Sequence, residues 1–141
     1  MKVIGRWRAS AVRRWRTASS VSDRGYNVIE AVIIVPIIIV FTLLVVQMAL
    51  LWHGRHIAEA AAQAAARSAA GYNSSAGVGH ADGANYLAQV APNLLQTPDV
   101  RVDRTARTAT VTVTAKVMAV LPFADFTVTE VAVVPVETFT N

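Results

Sequence analysis

Residues 24–52 read RGYNVIEAVIIVPIIIVFTLLVVQMALLW, and this stretch decides the fold. Positions 31 to 52 hold no charged residue, and their plainly polar side chains are those of Thr42 and Gln47. A helix needs about 20 predominantly apolar residues to cross a hydrocarbon core of about 30 Å. The stretch therefore predicts a helix that spans a membrane, with the carboxylate of Glu30 at its entrance.

Charge is divided unevenly on the two sides of this apolar run. Seven of the thirteen basic residues precede Gly25, together with one acid, Asp23, whereas six basic and eight acidic residues follow. Basic residues that flank a membrane span stay on the cytoplasmic side. We therefore expect a single-pass protein of the cytoplasmic (inner) membrane, in contact with lipid, with its N-terminus inside and its C-terminus outside.

Residues 1–25 form a basic leader with three possible interpretations. Apolar side chains recur in it at every fourth position, namely Val3, Trp7, Ala11 and Trp15. As a helix this segment would lie on an anionic membrane surface. Basic residues with interleaved aromatics also suit nucleic acid. We favour the third interpretation, a disordered segment that sets membrane orientation, because the adjacent span already explains the charge. No nucleic-acid partner is expected.

The helix is predicted to continue beyond the membrane, so that residues 26–70 form one span and stalk. Ile57 to Ala70 is rich in alanine, the strongest helix former. Its small side chains lie at Ala58, Ala61, Ala62, Ala65 and Ala69. Such a face admits another helix closely, which favours helix–helix packing over a solvated stalk. Gln47 is able to hydrogen-bond to another helix in the bilayer, and Trp52 is expected to mark the outer interface.

The remaining residues, 71–141, predict a small extracytoplasmic α+β domain. A glycine-rich loop is expected over Gly71–Gly83, and a short helix over Asp82–Val90. Alternation of apolar and polar residues over Thr108–Lys116 is typical of a half-buried strand. Shorter or β-branched stretches predict two further strands, at Val100–Asp103 and Phe126–Glu137. The predicted fold class is thus α+β: a long N-terminal helix, a short helix and an antiparallel sheet of about three strands.

The chain offers little for catalysis or cofactor binding. It has no cysteine, which excludes a disulfide framework and thiolate metal ligands. His53 and His56 lie at i and i+3, but the sequence places no third ligand beside them. The glycine-rich loop lacks the Gly-Lys-Ser/Thr ending of a phosphate-binding loop. We therefore predict no enzyme, no cofactor and no metal.

The junction at residue 25 resembles the processing site of type IV pilin-like proteins. In that family a basic leader ends in glycine, cleavage follows the glycine, and the fifth residue of the mature chain is glutamate. Here Gly25 precedes Tyr26, and Glu30 is the fifth residue after the cut. More narrowly, residues 24–70 resemble the TadE-like pseudopilins of tight-adherence (Flp) pilus systems. That closer resemblance rests on Arg24, Gly25, Val28, Glu30, Ala31 and Pro36, and on the ending Ala65-Ala66-Arg67-Ser68-Ala69-Ala70.

The resemblance implies a minor pilin-like subunit that is cut after Gly25 by a prepilin peptidase. It also implies assembly with other pilin-like subunits and pilus platform proteins, as a homo- or hetero-oligomer through the N-terminal helix, and possible arrival in a cell-surface pilus. Glu30 and Pro36 would act in assembly, with Glu30 of one subunit pairing the new α-amino group of Tyr26 on a neighbour. Spacing alone equally allows Glu30 to interact with the positive end of its own helix. The alternative is an uncleaved single-pass anchor that presents a small binding domain.

Overall fold

The computed structural model describes residues 22–122 and 124–137, and for residues 22–29 it describes the backbone alone. The predicted leader therefore lies, apart from residues 22–25, outside the described residues. The chain forms two helices and three strands: α1 (Ser22–Ala70), α2 (Ala76–Val90), β1 (Leu95–Arg104), β2 (Thr108–Val117) and β3 (Phe126–Pro135). This confirms the α+β fold class.

The chain divides into two compact units, Met1–Thr42 and Leu43–Asn141, with the boundary inside α1. The described part of the first unit is helical from Ser22 onward, with Pro36 in its interior. The second unit holds the rest of α1, α2 and the sheet. Each unit is described by itself below.

The alanine face of α1 is buried within this chain, in the second unit. Ala58, Ala61, Ala62, Ala65, Ala66 and Ala69 are each 0% exposed. Part of that face packs against α2, where a methyl group added at Gly79 would lie 2.7 Å from both the Ala65 carbonyl oxygen and the Ala69 Cβ. Close helix–helix packing is therefore present, and the partner helix belongs to the same chain. A solvated stalk is not what these residues form.

The predicted loop over Gly71–Gly83 is wrong for most of its length. Helix α2 begins at Ala76, and the Ser75 side chain caps it by accepting a hydrogen bond from the Val78 N–H at 3.4 Å. Glycine lowers helix propensity by about 1 kcal/mol, so a glycine-rich segment resembles a loop. Here Gly79 and Gly83 lie four residues apart and both face α1 or β1, where a larger side chain would collide. Tertiary packing thus overrides local propensity.

The sheet has the order β1-β2-β3, with both pairs antiparallel. The central strand β2 alternates as predicted: Ala109, Val111, Val113 and Ala115 are at most 1% exposed, whereas Lys116 is exposed. Val111, Val113 and Ala115 join Ile57, Leu87, Val100, Val128 and the buried alanines of α1 from Ala58 to Ala66 in the main apolar core, whereas Ala109 packs with Ala69 and Ala70 in a smaller cluster. The core therefore lies between one face of the sheet and the helices.

Strand β1 begins five residues before the predicted Val100–Asp103 and contains a bulge. Pairing with β2 covers Leu95 and Gln96, shifts register, and resumes at Asp99. Thr97, in the shifted segment, has a positive φ of 43°, and Pro98 has no N–H to donate. Proline is tolerated at bulges and on edge strands. The irregular backbone breaks the sequence alternation, which hides the first half of the strand.

The C-terminal end of α1 is tied to the sheet through its last carbonyl groups. Four such groups lack partners within any helix. Arg104 Nε donates to the Ala69 carbonyl at 2.7 Å, and the Glu137 N–H donates to the Ala70 carbonyl at 3.0 Å. Strand β3 ends at Pro135, two residues before the predicted Glu137. The segment after β3 thus closes the helix end and does not extend the sheet.

Candidate functional site

The apolar run of α1 is exposed on all sides of the helix. Between Val32 and Val46 the large apolar side chains are 41% to 69% exposed, apart from the half-buried Leu43. A helix that is apolar all round belongs in a protein core or a membrane. Among the described residues, positions 30–70 contain the one helix long and apolar enough to cross a membrane. The chain thus fits a single-pass membrane protein.

Two residues of this run, Thr42 and Pro36, are not simple apolar helix formers. The Thr42 hydroxyl donates to the Ile38 carbonyl at 2.8 Å, so its polar group is satisfied inside the helix. Pro36 lies in the helix interior and is exposed. Because proline has no N–H, the Val32 carbonyl loses its usual helical partner. That carbonyl is free to accept a hydrogen bond from outside the turn.

The predicted processing and assembly residues all lie on α1. Gly25 and Tyr26 are in its second turn, where the backbone alone is described. Glu30 is exposed, and within the described part of the chain no cation lies in ion-pair distance of it. Glu30 is also eight residues beyond the first residue of α1. Since the helix dipole acts within the first turn, it gives little stabilisation to Glu30 in the uncut chain.

Gln47 has a different partner from the one the sequence suggests. Its side chain is 2% exposed, and it bonds within this chain to the connection between β2 and β3. Gln47 Oε1 accepts from the Val120 N–H at 2.8 Å, and Nε2 donates to the Met118 carbonyl at 3.4 Å. The interpretation that Gln47 bonds to another helix in the bilayer is therefore wrong. Gln47 and Val120 are 73 residues apart, and no local pattern in the sequence predicts their contact.

The region around Trp52 is an exposed polar–aromatic border. Trp52 is 69% exposed, and its ring meets the His56 ring edge to face at 4.5 Å between centroids. His56 Nδ1 lies 3.9 Å from a Glu59 carboxylate oxygen. Within residues 22–122 and 124–137, no three His, Asp or Glu side chains are grouped to hold a metal ion. These side chains therefore read as the polar boundary of an apolar segment.

Ser68 and Asp82 join the two helices. The Ser68 hydroxyl of α1 donates to the Asp82 carboxylate of α2. His80, two residues before Asp82, is exposed. Asp99 accepts from Arg101 Nε at 2.8 Å. Each of these acids thus has a structural contact of its own.

Residues 25–67 match the profile of the family described as TadE-like protein. The match begins at the glycine of the predicted processing site and ends inside the buried alanine segment. No curated protein and no solved structure gives a significant match to the chain. Residues 25–67 are therefore similar to the TadE-like family, as the sequence resemblance predicts.

Proposed function

We propose that this chain is a minor pilin-like subunit of a tight-adherence pilus or of a related secretion apparatus. The proposed role is structural, and it involves no catalytic residue and no cofactor. The subunit enters the inner membrane with its N-terminus in the cytoplasm, and a prepilin peptidase cuts it after Gly25. It then waits in the bilayer before it joins a fibre through its N-terminal helix.

One observation carries this proposal: the apolar run from residue 31 to residue 46 is uncovered while the rest of α1 is used inside the domain. The alanine face, the other surface suited to helix packing, is fully buried. Contacts between the α1 helices of different subunits therefore fall to the apolar run. A side-chain set that suits lipid and also suits neighbouring apolar helices permits transfer from bilayer to fibre.

Glu30, just before that run, sets the axial register between the α1 helices of neighbouring subunits. An ionised carboxylate at the edge of a bilayer is costly unless it finds a partner. Cleavage after Gly25 creates an α-amino group on Tyr26, and this amine on one subunit pairs with Glu30 on the next. The proposed pair has opposite charges, so it favours one axial offset between parallel helices over its neighbours. Pro36 contributes by freeing the Val32 carbonyl for a bond to an adjacent subunit.

The first test is the intact mass and N-terminal sequence of the chain from its native membrane. The expected product begins at Tyr26, and it disappears in cells that lack the prepilin peptidase. A Gly25→Val variant should keep residues 1–25, because a branched side chain occupies the position next to the cut. A native chain that still begins at Met1, in cells with active peptidase, would refute processing and favour the uncleaved anchor with a small binding domain.

The second test separates assembly from processing. Glu30→Gln removes the charge with little change in shape, and we expect normal cleavage but loss of the subunit from sheared pili. Glu59→Gln is the matched control, since Glu59 is an exposed acid of the same helix that bonds Gln63 Nε2 at 3.2 Å. Equal recruitment of both variants would refute the assembly role of Glu30.

A further inference from the structure

The connection between β2 and β3 has the wrong composition for a turn in water. Between Lys116 and Asp125 the sequence is Val-Met-Ala-Val-Leu-Pro-Phe-Ala, without a polar side chain. Turns in water favour glycine, asparagine, aspartate and serine. Residues 118–122 of this connection are named here the hairpin tip. Met118 is 40% and Val120 is 37% exposed, and Ala119 and Pro122 are also exposed.

The hairpin tip lies against the uncharged part of α1. Gln47 holds it by the two hydrogen bonds described above, to Met118 and Val120. Gln47 is eight residues before Arg55, the first charged residue after the apolar run. At about 1.5 Å per residue this is about 12 Å along the helix. The tip therefore occupies the level of the apolar run, not that of the charged stretch that follows.

Three backbone groups of the hairpin tip have hydrogen-bond partners within the chain. The Met118 N–H donates to the Leu94 carbonyl at 2.9 Å, and the Met118 carbonyl and the Val120 N–H both use the Gln47 amide. Irregular backbone is tolerated near lipid when its polar groups have partners in the protein. A buried glutamine on the membrane-spanning helix meets that requirement.

Two ion pairs lie beyond the hairpin tip, one beside the ends of β2 and β3 and one between α1 and β3. Lys116 Nζ lies 3.3 Å from the Asp125 carboxylate, and Arg55 Nε lies 3.1 Å from Glu130 Oε1. Exposed apolar side chains lie on the helix at the level of the tip, Leu44 and Met48 among them. The polar–apolar border of the helix and that of the hairpin thus coincide. Exposed apolar side chains grouped beside polar ones are typical of a contact surface.

We propose that the hairpin tip enters the outer leaflet at the boundary between headgroups and acyl chains. The occupant of this surface is the lipid bilayer, because the tip lies at the level of the uncharged band of α1 and the first charged side chains beyond it are paired with each other. Trp52, on the same side of the border as the headgroups, suits that depth. The domain is then held to the membrane at two points, α1 and the tip, which fixes its tilt. This inference rests on the proposed function in one respect, since it requires α1 to span the bilayer.

The absence of cysteine permits a direct depth measurement. Single cysteines are placed in the full chain at Ala119 in the tip, at Ala106 in the β1–β2 turn, and at Ile39 in the apolar run. All three positions are exposed. Ala106 is the matched control because it is also an exposed turn alanine, at the opposite end of the sheet. Each variant is labelled with nitrobenzoxadiazole and reconstituted at low density in vesicles of phosphatidylcholine and phosphatidylglycerol.

Quenching by nitroxide-bearing lipids and by aqueous iodide then reports the surroundings of each label. We expect several-fold stronger lipid quenching at positions 119 and 39 than at 106, with iodide quenching in the reverse order. A Pro122→Cys variant gives a second tip position and should behave like Ala119→Cys.

Three results would overturn the inference. Lipid quenching at 39 with water-like behaviour at 119 would refute the tip alone and leave the spanning helix intact. Water-like behaviour at both positions would refute the tip together with the span. Shielding of 119 from both quenchers would show that protein, not lipid, covers the tip.

Discussion

The two ends of α1 show opposite relations between apolarity and burial. The apolar run from residue 31 to residue 46 holds valine, isoleucine, leucine and phenylalanine, yet it is exposed. The alanine segment from Ala58 to Ala70 has small side chains and low apolar area, yet its inner face is fully buried. In one continuous helix, therefore, side-chain size decides what can cover it. The small side chains let a second helix and a sheet approach within contact distance, whereas the run that is apolar on every side is left for a solvent such as lipid.

The largest effect is expected from a charge in the buried segment. Ala65→Asp places a carboxylate at a 0% exposed position beside Gly79. A buried charge without a partner costs about 3–5 kcal/mol. We therefore expect the amides of the sheet to lose their protection from hydrogen exchange while the chain stays in the membrane. Hydrogen exchange at β2 amides of the full chain in nanodiscs measures this. Unchanged protection would mean that the alanine face is not a core.

The mirror experiment places the same charge in the apolar run. Val40→Asp lies near the middle of the uncharged stretch, where an acid costs about 2.5–3.5 kcal/mol for insertion. We expect less carbonate-resistant membrane protein, with hydrogen exchange in the folded domain unchanged. If Val40→Asp and Ala65→Asp gave the same phenotype, the division of α1 into two functional halves would be wrong.

A matched pair of glycines in α2 tests close approach at finer scale. Gly79→Ala introduces a methyl 2.7 Å from the Ala65 carbonyl oxygen, whereas Gly77→Ala meets nothing nearer than Ser75 Oγ at 3.6 Å. Overpacking should cost about 1–3 kcal/mol at Gly79, while alanine at Gly77 should be neutral or stabilise by up to about 1 kcal/mol. Denaturant midpoints of the full chain in nanodiscs give both signs. Equal shifts of the midpoint in the two variants would contradict the close contact between α2 and α1 at Gly79.

The smallest effect is expected from a substitution of Gln47. Gln47→Leu leaves the Val120 N–H and the Met118 carbonyl without their partner, which should cost about 1–2 kcal/mol. Gln63→Leu is the control, since Gln63 is exposed and bonds Glu59 alone, so it should change stability by less than about 0.5 kcal/mol. Faster hydrogen exchange confined to the hairpin tip in Gln47→Leu supports the link. Equal exchange in both variants would contradict it.

Several features of this protein were readable without coordinates, because each rests on neighbours in sequence. The spanning run needs only length and the absence of charge, and the TadE-like resemblance needs only motifs that lie within residues 24–70. The alternation of β2 and the end of α1 at Ala70 follow from local periodicity and from the Gly71 that comes next.

Tertiary structure decided what the small and polar residues do. Gly79 and Gly83 lower helix propensity, and the sequence therefore favoured a loop; their use appears only when α2 crosses the alanines of α1. Gln47 resembled a lipid-buried donor for another subunit until the chain folded its own hairpin tip onto it. The physical reason is common to both. Distant segments of chain, brought close by the core, determine the partners of these residues, and neighbours in sequence do not identify those segments.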